Sequence, residues 1–161
     1  MRITPWIKTL EKNQVFVFGS NYSGNHGKGA ALQAQQFGAK KGIGEGLMGQ
    51  SYGLPTKPYS VRVSLPLAQI KEHVKTFIKF AKERTDLVFL VTEIGCGLAG
   101  YKPKEIAPMF KECKDLENVY LPQTFWEILN SITLEDLLDN VTKENIHKET
   151  STGVSIGAEK I

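Results

Sequence analysis

The sequence has little of what the commoner kinds of site are built from. Its two cysteines in 161 residues, Cys96 and Cys113, form no metal-type pair and make no disulfide framework. No apolar run is long enough to span a bilayer, and the opening "MRITPWIKTL" lacks the apolar core of a signal peptide. A soluble protein of a reducing cytoplasm, with no membrane partner, is expected. A net charge of +3 is too small to argue for nucleic acid by itself. The familiar phosphate signatures are missing as well. Gly19 and Gly24 have the P-loop gap, but Asn25 stands where lysine is required. Gly27 and Gly29 begin a dinucleotide pattern that Leu32 breaks.

What is present is a pair of buried-looking strands, each ending in glycine. The stretch "VFVFGSNYSGNHGKGAA", residues 15 to 31, runs from four apolar residues into a loop nearly stripped of side chains, with an Ala- and Gln-rich helical pattern from Gly29 to Lys40 behind it. "LVFLVTEIG", residues 87 to 95, is a second apolar strand that enters "GCGLAGY". Between them, Ile70, Val74, Phe77, Ile78 and Ala81 recur at three- and four-residue spacing, which predicts an amphipathic helix with a basic outer face. Residues 41 to 57 are too rich in glycine for a helix and read as a loop entering a short strand at Ser51 to Leu54, closed by Pro55. A helix from Pro103 to Cys113 and a last strand at "NVYLP" complete the series. Strands apolar on both faces, alternating with helices, predict an α/β fold with a largely parallel sheet. Trp6, Trp126, Phe77, Phe80 and Phe110 are expected in the core.

Ligands of open α/β sheets bind beyond the carboxyl ends of the strands, so both glycine loops belong to one binding edge. Exposed backbone N–H groups there form a nest for anions, one loop for each phosphate of a diphosphate. Charge agrees: residues 1–130 hold 17 basic and 11 acidic side chains, a balance of +6, while residues 131–161 are acidic.

The pattern "VFVFGSN…HGKGAA…GQSYGLPTK…VTEIGCGLAGY" resembles a macrodomain-like family of bacterial and phage proteins, over roughly residues 13 to 127. The resemblance implies a three-layer α/β/α fold with a mixed, largely parallel sheet. Residues 1–130 form the domain, followed by an acidic appendage at 131–161 with a short helix and a polar tail. It implies binding of ADP-ribose, free or attached to protein or nucleic acid, and hydrolysis of the ADP-ribosyl bond as the associated activity, with no metal or redox cofactor. By position, Asn21 contacts the distal ribose, and residues 26–30 (His26, Gly27, Lys28, Gly29, Ala30) approach that ribose and the diphosphate. The loop Gly95, Cys96, Gly97, Leu98, Ala99, Gly100 and Tyr101 holds the diphosphate, with Tyr101 flanking the ribose. The first loop reads His-Gly-Lys-Gly rather than three glycines, and the paired acids of the poly-ADP-ribose glycohydrolase branch are absent.

Each of these residues also has a plainer reading. Gly19, Gly27 and Gly29 serve a turn and a helix start, or admit ribose and phosphate; Ser20 goes with them. Asn21 caps a turn through its amide or faces the ligand. His26 and Lys28 are solvated loop residues, or an acid–base group and a phosphate neutraliser. Glu93 makes an ion pair at the sheet rim or activates water, which makes Asn21, His26, Lys28 and Glu93 the catalytic candidates. Cys96 beside a positive loop suggests a nucleophile, yet no partner can be assigned to it and the structural reading is preferred. Gln50, Ser51, Thr56 and Lys57 line the pocket or merely turn the chain. The stripe Lys71, Lys75, Lys79 and Lys82 is a solvated face or a nucleic-acid contact, and a binding module without turnover competes with the enzyme.

Overall fold

Strand β1 (Gln14–Asn21) lies at the centre of the sheet, with Val15, Phe16, Val17 and Phe18 all but removed from solvent. The computed structural model describes residues 1–131 and Leu138. Its elements follow in order as α1 (Gly29–Ala34), β2 (Gly46–Met48), β3 (Ser51–Lys57), α2 (Leu67–Glu83), β4 (Val88–Val91), α3 (Pro103–Ile106) and β5 (Val119–Tyr120). The five strands form one mixed sheet in the order β2-β3-β1-β4-β5, in which only β2 runs antiparallel. A parallel bridge between Ile3 and Leu121 attaches the amino terminus beyond β5.

Alternation along β1 sends its residues to two layers, which gives the three-layer α/β/α fold. Phe16 and Phe18 pack with Leu90, Met48 and the α1 residues Ala31 and Ala34. On the other face, Phe77 of α2 meets Tyr52 and Phe89 edge-on, and Phe110 joins them from the segment after α3. Burial of each such phenyl ring is worth about 2 kcal/mol. Ile70, Val74, Phe77, Ile78 and Ala81 are the buried face of α2, as the spacing predicts.

Differences from the sequence reading have local causes. The first helix stops well short of Lys40: a 3-10 turn (Gln35–Phe37) tightens it and Gly38 ends it at φ 106°. The run expected to be helical from Pro103 to Cys113 is α-helical only to Ile106 and then 3-10 from Ala107 to Asp115. Pro108 cannot supply the N–H that an α-helix would direct at Lys104, and its ring crowds that carbonyl. The strand expected to close at Pro55 continues to Lys57, because β2 pairs β3 no further than Gly53 and the proline interrupts no ladder bond on that side. Trp6, expected in the core, is 88% exposed.

The chain divides into two units, Met1–Ile128 and Leu129–Ile161. In the second, residues 129 to 131 are helical; the short helix and polar tail expected over 131–161 otherwise fall outside the described residues. No helix among the described residues is long and apolar enough to cross a membrane. The first unit is closed at its edge by the amino terminus. The Leu121 N–H donates to the Arg2 carbonyl at 3.0 Å, the Trp126 indole donates to the same oxygen at 2.8 Å, and the Arg2 guanidinium reaches the Lys114 carbonyl at 2.9 Å.

Candidate functional site

The connections after β1 and β4 leave the sheet toward opposite faces, since α1 packs with Phe16 and Phe18 while Phe110 packs with Phe77. These two strands are neighbours, so a crevice must open between them at their carboxyl ends. A cleft of about 520 Å³ lies there. Gly19, Ser20 and Asn21 from β1, Thr56 and Lys57 from β3, and Thr92 and Glu93 after β4 form its base. Its sides are Gly27, Lys28, Gly29 and Ala30 on one hand and Gly95, Gly97, Leu98 and Ala99 on the other. The two glycine loops therefore do face one another across a single cleft.

Backbone donors dominate that cleft. In the second loop, the Cys96, Gly100 and Tyr101 N–H groups are taken by the Glu93, Gly97 and Gly95 carbonyls. The N–H groups of Gly95, Gly97, Leu98 and Ala99 have no partner among the described residues, although Gly95 is buried. Across the cleft, the N–H groups of Gly27, Lys28 and Gly29 are equally unpartnered. Of these donors only the Gly95 N–H belongs to a buried residue; the others belong to exposed or half-buried residues, and together they present N–H groups from both walls of a concave site, as an anion nest does. Gly95 adopts φ +74°, and a Cβ there would stand 3.1 Å from the Ile106 side chain. That conformation turns the loop and brings its backbone beside Gly19, where a Cβ would stand 3.6 Å from the Gly95 nitrogen.

The side chains divide into those that shape the loops and those left open. Asn21 shapes: its Oδ1 accepts from the Ser23 hydroxyl at 2.7 Å and the Asn25 N–H at 2.9 Å, while its Nδ2 donates to the Asn25 carbonyl at 2.8 Å. One amide hydrogen remains for a ligand. Thr92 donates to the Val17 carbonyl at 2.8 Å and seals the β1–β4 junction. Lys57 donates to the Val61 carbonyl at 3.0 Å and holds the turn that brings Val61 to the cleft. Lys28, at the start of α1, is exposed, and its ammonium has no partner among the described residues.

Several nominated residues lie elsewhere. His26 is 2% exposed and does not line the cleft; its Nε2 lies 3.0 Å from both the Lys40 and Ile43 carbonyls, and its ring stands edge-on to Phe18. Gln50 is at the opposite end of the sheet, donating to the Glu11 and Gln14 carbonyls. Tyr101 anchors the second loop by donating to the Leu65 carbonyl, and with Cys96 and Gly100 it is not part of the cleft wall. Burial first, then Glu93 and Glu105, pushes the Cys96 thiol up to about 11, which removes the thiolate a nucleophile needs. Glu93 makes no ion pair among the described residues; its Oε1 accepts from the Thr124 hydroxyl at 2.8 Å. On α2, Lys75 and Lys82 are paired with Glu72 and Glu112, which breaks the basic stripe. No cluster of three potential metal ligands occurs among the described residues.

Asn25, Val61 and Thr92 line the cleft without having been nominated. Asn25 was within reach, since "NYSGN" is an asparagine-closed turn. Val61 was not, because a solvent-side valine carries no signal until the turn is folded.

No family model and no curated protein matches the chain. A solved structure described as that of a protein of unknown function from Bacteroides thetaiotaomicron superposes with a TM-score of 0.50. Identity is 17%, and the match covers 68% of this chain and 87% of that one. That likeness carries the fold.

Proposed function

We propose that the cleft binds ADP-ribose or an ADP-ribosyl conjugate, in the manner of the macrodomain-like proteins that the sequence resembles. One observation carries this reading: unpartnered N–H groups of two glycine loops face each other across a cleft at the sheet's switch point. A diphosphate offers acceptor oxygens to both loops, and the Lys28 ammonium adds charge at the first. The free amide hydrogen of Asn21 suits a ribose hydroxyl. A volume of about 520 Å³ lies within the range of small-molecule sites.

Binding without turnover is favoured over hydrolysis. His26 is enclosed by carbonyl oxygens outside the cleft, and Glu93 is held by Thr124. Lys28 alone among the nominated groups stands free at the first loop.

Calorimetric titration with ADP-ribose, against AMP and ribose 5-phosphate, tests the proposal. Saturable binding selective for ADP-ribose is expected, and Gly97→Leu should abolish it without loss of stability, since a Cβ at Gly97 meets nothing within 4 Å. Unchanged binding in that variant would refute the site. Release of ADP-ribose from modified protein or DNA, lost in Lys28→Ala, would establish the enzymatic form instead.

A further inference from the structure

Tyr22, just past β1, His73, on α2, and Glu45, just before β2, meet away from the cleft wall. Asn21 spends its side chain on the first loop, and Tyr22, one residue further, sends its ring against His73. The Tyr22 hydroxyl lies 2.7 Å from His73 Nε2, and His73 Nδ1 lies 2.9 Å from Glu45 Oε1. A carboxylate only accepts, so in the neutral ring Nδ1 carries the hydrogen and Nε2 accepts from the phenol. That order is the order of a nucleophile, a base and a group that orients the base. Burial first, then Glu45 and Tyr59, pushes the Tyr22 phenol above its ordinary value. It attacks an electrophile only if a base takes its proton during the step, and His73 stands in hydrogen-bond reach to do so. The Tyr22 ring is half-buried rather than enclosed. Tyr59, 77% exposed, sets its own ring 5.6 Å away and offers an apolar face to an incoming molecule.

We propose that Tyr22 is an acyl-acceptor site, activated by His73 and Glu45, which takes the acyl group of an aryl ester. The bond from Tyr22 Oη to the acyl carbon forms as the bond from that carbon to the ester oxygen breaks. The phenolic proton moves to His73 Nε2, and from there to the departing aryloxide or to solvent. Glu45 stabilises the imidazolium that forms on the way. The same carboxylate selects the group transferred. An acyl group is neutral, whereas a phosphoryl group would bring negative charge up to Glu45 and be repelled. The exposed ring of Tyr59 suits an aromatic leaving group. None of Tyr22, His73 and Glu45 lines the cleft, so this chemistry goes beyond ADP-ribose binding and does not depend on it.

The test treats the full chain with p-nitrophenyl acetate at mildly alkaline pH and follows acetylation of each peptide by mass spectrometry. Hydroxylamine cleaves phenyl esters and spares acetyl-lysine, which separates tyrosine from lysine labelling. Wild-type Tyr22 should be acetylated about 100-fold faster than the exposed Tyr59, the order of one general base. His73→Gln should bring Tyr22 down to the rate of Tyr59, and Tyr22→Phe should remove the hydroxylamine-sensitive label from its peptide. Glu45→Gln keeps an oxygen that accepts from Nδ1 but no charge to balance the imidazolium, so it should slow the reaction while the hydrogen-bonded chain stays joined. Urea denaturation of each variant confirms that the rates are those of folded protein. Tyr22 that reacts no faster than Tyr59 in wild type, or equally fast in His73→Gln, would overturn the site. An unchanged rate in Glu45→Gln would overturn the role given to that carboxylate. Transfer to Tyr22 from p-nitrophenyl phosphate at a comparable rate would overturn the choice of an acyl group.

Discussion

The imidazole of His26 reaches back from the first glycine loop to the Lys40 and Ile43 carbonyls, while its Nδ1 is buried with no hydrogen-bond partner. One Nε2 hydrogen shared between two oxygens fixes the tautomer and ties the loop to the segment that crosses beneath it. Removing the ring takes the side-chain donor from both carbonyls, leaving Lys40 only the Ile43 N–H, and opens a void against Phe18. His26→Ala should therefore lower unfolding stability by about 3 kcal/mol, measured by urea denaturation. A histidine of the chemical centre would leave stability nearly unchanged. The sequence could not separate these roles, because the carbonyls that His26 meets belong to residues 14 and 17 positions away. Trp6 misleads for the converse reason. Its type argues for burial, yet it follows a segment joined to the sheet edge through Ile3 and Leu121 and stands outside the core.

At the scale of elements, the first loop is held by backbone packed on backbone. A Cβ at Gly44 would fall 1.9 Å from the Asn21 carbonyl oxygen, so the segment before β2 passes the end of β1 only because that position is bare. Gly44→Ala should destabilise the fold by about 3 kcal/mol and weaken ligand binding at temperatures where the variant remains folded. Denaturation and calorimetry on the one variant check both. Helix α2 was legible because seventeen residues repeat one spacing and bury its stripe. Strand β2 was not, since three residues flanked by glycines carry no period. Its existence follows from the hairpin it forms with β3, a partner found only in the fold.

For the whole molecule, titration of buried groups sets the alkaline limit. Burial pushes the Cys113 thiol up from 9.0 to about 12, and burial of Tyr52 acts in the same direction. Both groups hold their protons more tightly folded than unfolded. Their contribution is intact below pH 9 and is lost as pH rises toward the folded values. By pH 10.5 Cys113 alone should cost about 2 kcal/mol relative to pH 8, and Cys113→Ala should flatten that part of the fall in urea midpoint. The general architecture was legible because apolar strands alternate with helices and each strand that ends in glycine enters the cleft. A cavity of about 360 Å³ that adjoins the cleft was not legible, for it joins residues 4 to 7 to residues 122 and 123.

That last juxtaposition has a consequence for synthesis. Arg2 is fastened by Lys114, Leu121 and Trp126, residues that leave the ribosome after nearly all of the first unit has been made. Both glycine loops and α2 are complete by then, while the leading segment has waited without its partner. The stretch bearing Trp6 is translated before both glycine loops and α2, yet it is given its place only after they are complete.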